Sequence, residues 1–231
     1  MLRRLCTLTA AAVGITLAVA APASAWWAGG GSNRWGAYGA VFVQAEPGEQ
    51  NDMTATAKPG LSSVPYGTPE YVVIHDDSAP VTPAPAGSGT GCTEVDSHTV
   101  RCTGIDPWGA PMSVDYLDVQ LDDGDDALRI PHTSLSVWLW GSTGTGNDVV
   151  TSYGPGGSSI YLDEGDDRMV LRGSLSGPLY PSGVAAGPGD DVLDVVNADD
   201  DDDPSCGDGA DTLYADVGED NADCEARPPL R

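Results

Sequence analysis

Five segments of this chain align on a Gly-x-Asp core, and their spacing restricts the fold more than any other feature. They are DDGDDAL at Asp122 to Leu128, GTGNDVV at Gly144 to Val150, DEGDDRM at Asp163 to Met169, GPGDDVL at Gly187 to Leu193 and GDGADTL at Gly207 to Leu213. The aligned second glycines, Gly124, Gly146, Gly165, Gly189 and Gly209, lie 22, 19, 24 and 20 residues apart. Self-similarity at this period marks a solenoid: each repeat is one turn, and it buries its apolar face only against its neighbours. The uneven spacing implies short insertions between turns.

Each core runs into a strand pattern. The residue two after the aspartate is apolar every time (Leu128, Val150, Met169, Leu193, Leu213), whereas the residue one after is mixed (Ala127, Val149, Arg168, Val192, Thr212). A period of two points the first set inward and the second outward. Ile130, Leu171 and Val195 extend the inward set. Further strands are expected between the cores at Val114 to Leu121, Leu135 to Trp140 and Ser159 to Leu162, and upstream at Ala40 to Val43, Met53 to Ala57 and Tyr71 to Ile74. Two or three short strands per turn of about twenty residues suit a parallel β-helix or β-roll. Gly48 to Met53 reads as a decayed copy of the core, Pro80 to Gly91 as a turn or linker, and Trp26 to Gly36 as a frayed start or a cap over the open end of the solenoid.

Arg3 and Arg4, the apolar run from Leu5 to Ala21 and the Ala23-Ser24-Ala25 pattern together read as a signal peptide over residues 1–25. The expected location of the mature chain is therefore outside the cell. The whole chain carries a formal net charge of −25, and loss of Arg3 and Arg4 with the leader makes it −27. Such a charge repels nucleic acid and anionic membrane surfaces, and no second apolar run offers a membrane span. It also strains any compact state, so a folded chain of this composition calls for neutralising cations. The remaining cysteines fall in two local pairs, Cys92 with Cys102 and Cys206 with Cys224, with nine and seventeen residues between. In an exported chain these read as two small disulfide loops; zinc is the competing reading, weakened by the absence of C-x-x-C and the presence of only three histidines.

The chemistry of the repeated loop points to calcium. Calcium takes six to eight hard oxygens; a glycine-rich loop turns sharply enough to aim its carbonyls, and aspartate adds a charged oxygen. One such loop is a poor site, but a stack closes the coordination sphere from two sides. The expected ligands are the core aspartates Asp126, Asp148, Asp167, Asp191 and Asp211, with Asp125, Asp166 and Asp190 assisting directly or through water. Asn147 and Ala210 fill the assisting position elsewhere, so its charge is not part of the pattern. The run Asp199 to Asp203 reads as a solvated loop, or as a weak additional cation site.

No EF-hand, G-x-S-x-G, H-E-x-x-H or P-loop occurs. His75 beside Asp76 and Asp77 reads as a surface residue at a strand end, His98 as a hairpin tip and His132 as a turn residue. Trp108, Trp138 and Trp140 are expected in core or cap packing, with a sugar-stacking surface as the alternative.

The Gly-x-Gly-x-Asp-x-Leu cores resemble haemolysin-type (repeats-in-toxin) calcium-binding repeats of bacterial secreted proteins. PGEQNDMTATA through YVVIHDDSAPV to GCTEVDSHTVRC, VDYLDVQLDDGDDAL and the tail CGDGADTLYADVGEDNADCE are similar to a subgroup of such proteins, and together span nearly all of the mature chain. The resemblance implies a parallel β-roll or β-helix with calcium between turns, pairing of Cys92 with Cys102 and of Cys206 with Cys224, and no catalytic activity. The chain departs from the ideal nonapeptide in its 19 to 24 residue spacing and in Asp122 and Asp163, which replace the first glycine.

The expected protein is therefore all-β: a signal peptide (1–25), an N-terminal β region (26–112), a calcium-binding solenoid (113–226) and a short tail (227–231). It is expected to be a secreted structural or interaction module and not an enzyme, with calcium as its ligand and a cell-surface glycan or protein as its partner. A β-helix polysaccharide lyase and a cell-surface adhesin are the alternatives.

Overall fold

The computed structural model describes residues 26–32, 39–59, 69–83, 91–105, 110–131, 137–153, 158–172, 183–197, 203–216 and 223–224. The expected signal peptide, the 227–231 tail, Trp108, His132 and Asp199 to Asp202 lie outside them. The described residues are all strand, turn and loop, with no helix. In chain order the strands are β1 (Trp26–Ser32), β2 (Gly39–Gln44), β3 (Asp52–Pro59), β4 (Pro69–Asp76), β5 (Val81–Pro83), β6 (Cys92–Asp96), β7 (Thr99–Cys102), β8 (Gly104–Ile105), β9 (Pro111–Met112) and β10 (Tyr116–Gln120). They continue as β11 (Ala127–Ile130), β12 (Trp138–Ser142), β13 (Val149–Ser152), β14 (Ser158–Tyr161), β15 (Arg168–Leu171), β16 (Gly183–Pro188), β17 (Val192–Asp194), β18 (Asp203–Asp208) and β19 (Thr212–Tyr214).

The chain winds as a parallel β-solenoid with two long sheets. One runs β18-β16-β14-β12-β10-β2-β1-β5, the other β19-β17-β15-β13-β11-β3-β4-β7-β6. From β10 onward each turn lays one strand in the first sheet, passes through a Gly-Asp loop and lays the next strand in the second. The expected period-two pattern sets the core. Leu128, Val150, Met169, Leu193 and Leu213 are in register along the second sheet and buried. Val119, Ile160 and Val184 face them from the first sheet. Leu121 and Leu162 fill the corner before the loop.

The upstream region supplies the first rung and a cap. Strands β2 and β3 pair in parallel with β10 and β11, and Met53 lies opposite Leu128, so Gly48 to Met53 does occupy a repeat position. Beyond this rung pairing turns antiparallel, through β3–β4, β4–β7 and β6–β7 on one sheet and β1–β2 on the other. Trp26 to Ser32 is thus a paired strand, β1, between β2 and β5 beyond the first rung, rather than a frayed start. Val81 to Pro83, expected as turn or linker, pairs with it as β5 because Val81 has an apolar site to fill and is buried. Disulfides join Cys92 to Cys102 across β6–β7, and Cys206 in the core to Cys224.

Loop stacking explains the glycines. Gly146 has a φ of 147°, and a β-carbon there would meet the carbonyl oxygen of Gly124 at 1.8 Å. The same relation joins Gly165 to Gly146, Gly189 to Gly165 and Gly209 to Gly189. Asp122 and Asp163, the two departures from the first glycine, adopt left-handed backbone at φ 72° and 67°, a region aspartate tolerates better than most residues. Gly48 is the control: its φ is also positive, at 82°, but no atom lies within 4 Å of a β-carbon built there. Gly48→Ala should therefore cost about 1–2 kcal/mol, the left-handed penalty alone. Gly146→Ala should cost clearly more, since the backbone of two rungs must part. Denaturant melts of the two variants check this, and equal losses would contradict the stacking account.

Candidate metal centre

The five core aspartates come together in one line. Asp126, Asp148, Asp167, Asp191 and Asp211 are each at most 2% exposed. They are tied by a ladder of side-chain to backbone hydrogen bonds. The amide of Asp126 donates to Oδ1 of Asp148 (2.7 Å), that of Asp148 to Asp167 (2.7 Å), that of Asp167 to Asp191 (2.8 Å) and that of Asp191 to Asp211 (2.9 Å). Loop amides that no strand pairs are satisfied in this way, as buried donors must be. The carboxylate of each rung reaches back to the rung before.

The preceding residues form a second ladder of opposite direction on the exposed side. Oδ1 of Asp125 accepts from the amide of Asn147, Oδ1 of Asn147 from Asp166, Oδ1 of Asp166 from Asp190 and Oδ1 of Asp190 from Ala210. Adjacent residues point to opposite sides, so Asp125, Asp166 and Asp190 face solvent and do not line the inner column. Only an acceptor oxygen is needed there, which is why Asn147 serves; Ala210 ends the ladder as a donor only.

The inner column is short of partners. Oδ2 of Asp126, Asp148, Asp167 and Asp191 is buried and receives no hydrogen bond from the protein. Burial pushes the Asp126 and Asp167 carboxyls up to about 7 and that of Asp191 up to about 6. The amide each accepts offsets part of the rise, and the neighbouring carboxylates add to it. Asp148 is raised by the same burial. Rungs one strand spacing apart, about 4.8 Å, give like charges a repulsion of roughly 3–4 kcal/mol per neighbouring pair at an effective dielectric near 20. Summed along the column, that rivals the ~5–15 kcal/mol by which a typical domain is stable. Protons or cations must therefore cancel the charge.

The donor set fits a hard cation. On the core aspartates every bare atom is a carboxylate oxygen, and the carbonyls of Gly124, Gly146, Gly165 and Gly189 press against the next rung on the same loops. Among the described residues, the one group of three or more acidic, cysteine or histidine side chains whose ligand atoms lie within 4.8 Å of one another is Cys206, Asp223 and Cys224. Its cysteines are spent in the disulfide, which removes the zinc reading. Each rung contributes one core carboxylate to the column, reaching back to the rung before, and an ion held there would complete its shell from backbone carbonyls.

Two residues outside the five cores reach the same column. The amide of Asn51 donates to Oδ1 of Asp126 (2.6 Å), which makes Asn51 the first member of the inner ladder. Asp76, fully buried at the end of β4, accepts the amide of Asp52 from the other side of that rung (3.3 Å). The decayed copy hinted at Asn51; nothing in the repeat pattern pointed to Asp76. His75 contacts the Thr99 hydroxyl and the Asp77 carboxylate at the surface, and His98 stands at the β6–β7 turn, both as expected. Trp138 and Trp140, expected in core or cap packing, lie on the outer face of the first sheet, because Leu139 between them takes the inward position. Comparison with protein-family models, with curated proteins and with solved structures finds no match to this chain.

The raised carboxyls fix a pH dependence. An acid whose pKa rises on folding binds its proton more tightly in the folded chain, so the metal-free fold loses stability as the pH climbs from about 4, where the unfolded carboxylates ionise, to about 7, where the folded ones do. In chelator the melting temperature should be higher near pH 5 than near pH 8. Thermal melts across that range check the sign; a metal-free melting temperature that climbs toward pH 8 would contradict it.

Proposed function

We propose that this chain is a secreted calcium-binding β-solenoid, a structural or interaction module whose folding is coupled to the ion and which catalyses no reaction. The observation that carries the reading is the row of buried carboxylate oxygens, one per rung and in register, that receive no hydrogen bond from the protein. The resemblance of the cores to haemolysin-type repeats agrees with it. Calcium suits the site better than magnesium, because it accepts irregular shells of six to eight oxygens, while magnesium demands a near-ideal octahedron and sheds water reluctantly. Bound calcium would supply neutralising charge at Asp126, Asp148, Asp167, Asp191 and Asp211. The chain's own part is to hold those oxygens in line, keep water away from them and supply loop carbonyls. In a calcium-poor cytosol the column repels itself; outside the cell, millimolar ion cancels the repulsion and couples binding to folding.

The lyase alternative gains nothing from the geometry. Of the two basic residues it would draw on, Arg172 is paired with Asp194 at the surface and Arg168 is exposed at the start of β15. The open groove lined by Tyr161, Asp163, Glu164 and Pro188 has no basic residue on its wall.

The adhesin alternative is favoured by one observation. Tyr116, Trp138, Trp140 and Tyr161 all lie on the outer face of the first sheet, with the Trp140 and Tyr161 rings 5.9 Å apart. Such a platform suits the faces of sugar rings, with Asp118 and Gln120 beside it as hydrogen-bonding groups. Trp140→Ala combined with Tyr161→Ala should abolish co-sedimentation with isolated cell-wall glycan and leave the calcium response intact. Undiminished co-sedimentation of the double variant would remove this reading.

The calcium reading is tested by melting curves. Extracellular calcium modules commonly bind at about 10⁻⁴–10⁻³ M, and ion at ~100 times the dissociation constant adds about 2.7 kcal/mol per independent site. Calcium should raise the melting temperature strongly and magnesium far less. Asp167→Asn keeps the oxygen that accepts the Asp148 amide but removes the central charge. It should melt higher than the parent in chelator near neutral pH and gain less from calcium. Identical curves for the parent in chelator and in calcium would end the proposal.

A further inference from the structure

The first rung differs from the others in what closes it. Asn51 stands where the repeats carry aspartate, and it is flanked on both sides. Its own amide donates to Oδ1 of Asp126, and the next amide, of Asp52, donates to Oδ1 of Asp76. That same Asp76 oxygen also accepts the amides of Ser78 (2.6 Å) and Ala79 (2.8 Å), so it is fully used. Oδ2 of Asp76, Oδ2 of Asp126 and both Oδ1 and Nδ2 of Asn51 are buried with no hydrogen-bond partner in the protein. The three side chains are 0%, 2% and 1% exposed. A buried polar atom left without a partner is costly, and here four of them belong to three side chains linked through the adjacent amides of Asn51 and Asp52.

We propose that the N-terminal cap builds a terminal divalent-cation site from Asn51, Asp76 and Asp126, separate from the gaps between repeat loops. The site rests on the calcium reading of the column and extends it to an element outside the repeats. Two carboxylates and one amide oxygen give a charge of −2, matched to a single divalent ion; an aspartate at position 51 would exceed it. The ion ties the cap to the first rung. Asp76 ends β4, its amide donates to the His98 carbonyl (3.0 Å), and β4 pairs with β7 of the disulfide hairpin closed by Cys92 and Cys102. Order in that hairpin thereby becomes dependent on the cation.

Calorimetric titration of the leader-cleaved protein with calcium, paired with amide hydrogen exchange, tests the site. Asp76→Asn should lose one equivalent of bound calcium, and calcium should no longer slow exchange in β4 and β7, while β13 to β17 respond as in the parent. Asn51→Asp should bind calcium roughly ten-fold tighter at one site, because affinity follows ligand charge, and should melt lower in chelator. If Asp76→Asn does not fold, Asn51→Asp decides alone. Parent-like stoichiometry in Asp76→Asn, or unchanged affinity in Asn51→Asp, overturns the terminal site. When either occurs while Asp167→Asn lowers calcium uptake, the column reading stands and only this proposal falls. A parent protein that takes up no calcium defeats both.

Discussion

Carboxylates stacked one strand spacing apart inside a folded protein repel one another, and the rest of this molecule is arranged around that repulsion. In-register parallel pairing brings Asp126, Asp148, Asp167, Asp191 and Asp211 into line, and burial keeps solvent from screening them. A solenoid can tolerate such a row because each aspartate also solves a backbone problem. Its Oδ1 takes the loop amide of the neighbouring rung, which the tight glycine turn leaves without a strand partner. Removing the aspartates would orphan those amides; retaining them charges the interior.

The two ladders divide the work. The outer one, from Asp125 to Ala210, needs only an oxygen that accepts, and it admits asparagine without consequence. The inner one repeats a carboxylate at every core although an amide would accept the same hydrogen bond. The retained charge has no use in the hydrogen-bond pattern, and neutralisation by a hard cation, as proposed above, would supply one. On the calcium-binding reading proposed above, stability becomes a property of the medium as well as of the sequence: calcium-rich surroundings would favour the fold, and calcium-poor ones would oppose it. The apolar core between the sheets sets the register on which the alignment of charges depends.

Much of this was legible in the residues. The Gly-x-Asp period announced the winding, and the apolar residue two beyond each aspartate announced which side faces the core, because strands alternate with period two and a repeat averages out local noise. The cysteine pairing followed from local spacing and the expected export. Other features were hidden for definite reasons. Glu49 stands where the repeats carry their second glycine, so the first rung was only faintly visible, although Gly124 stacks on the Glu49 carbonyl. Asp76 arrives on an antiparallel strand with no repeat to align it. Trp138 and Trp140 flank Leu139, and their bulk suggested the interior, yet the inward place belongs to the leucine. Asp125, Asp166 and Asp190, read as assisting the core aspartates directly or through water, also form an exposed hydrogen-bond ladder of their own, which the repeat pattern did not announce.

The account turns on what occupies the inner column. Anomalous diffraction from crystals grown in calcium, recorded at a long wavelength where calcium scatters anomalously, addresses this directly. The account predicts single-file peaks between the rungs from Asp126 to Asp191, each in contact with Oδ2 of the aspartates on either side. An ordered column free of such peaks, with those oxygens bound to water or to protein donors, would contradict it.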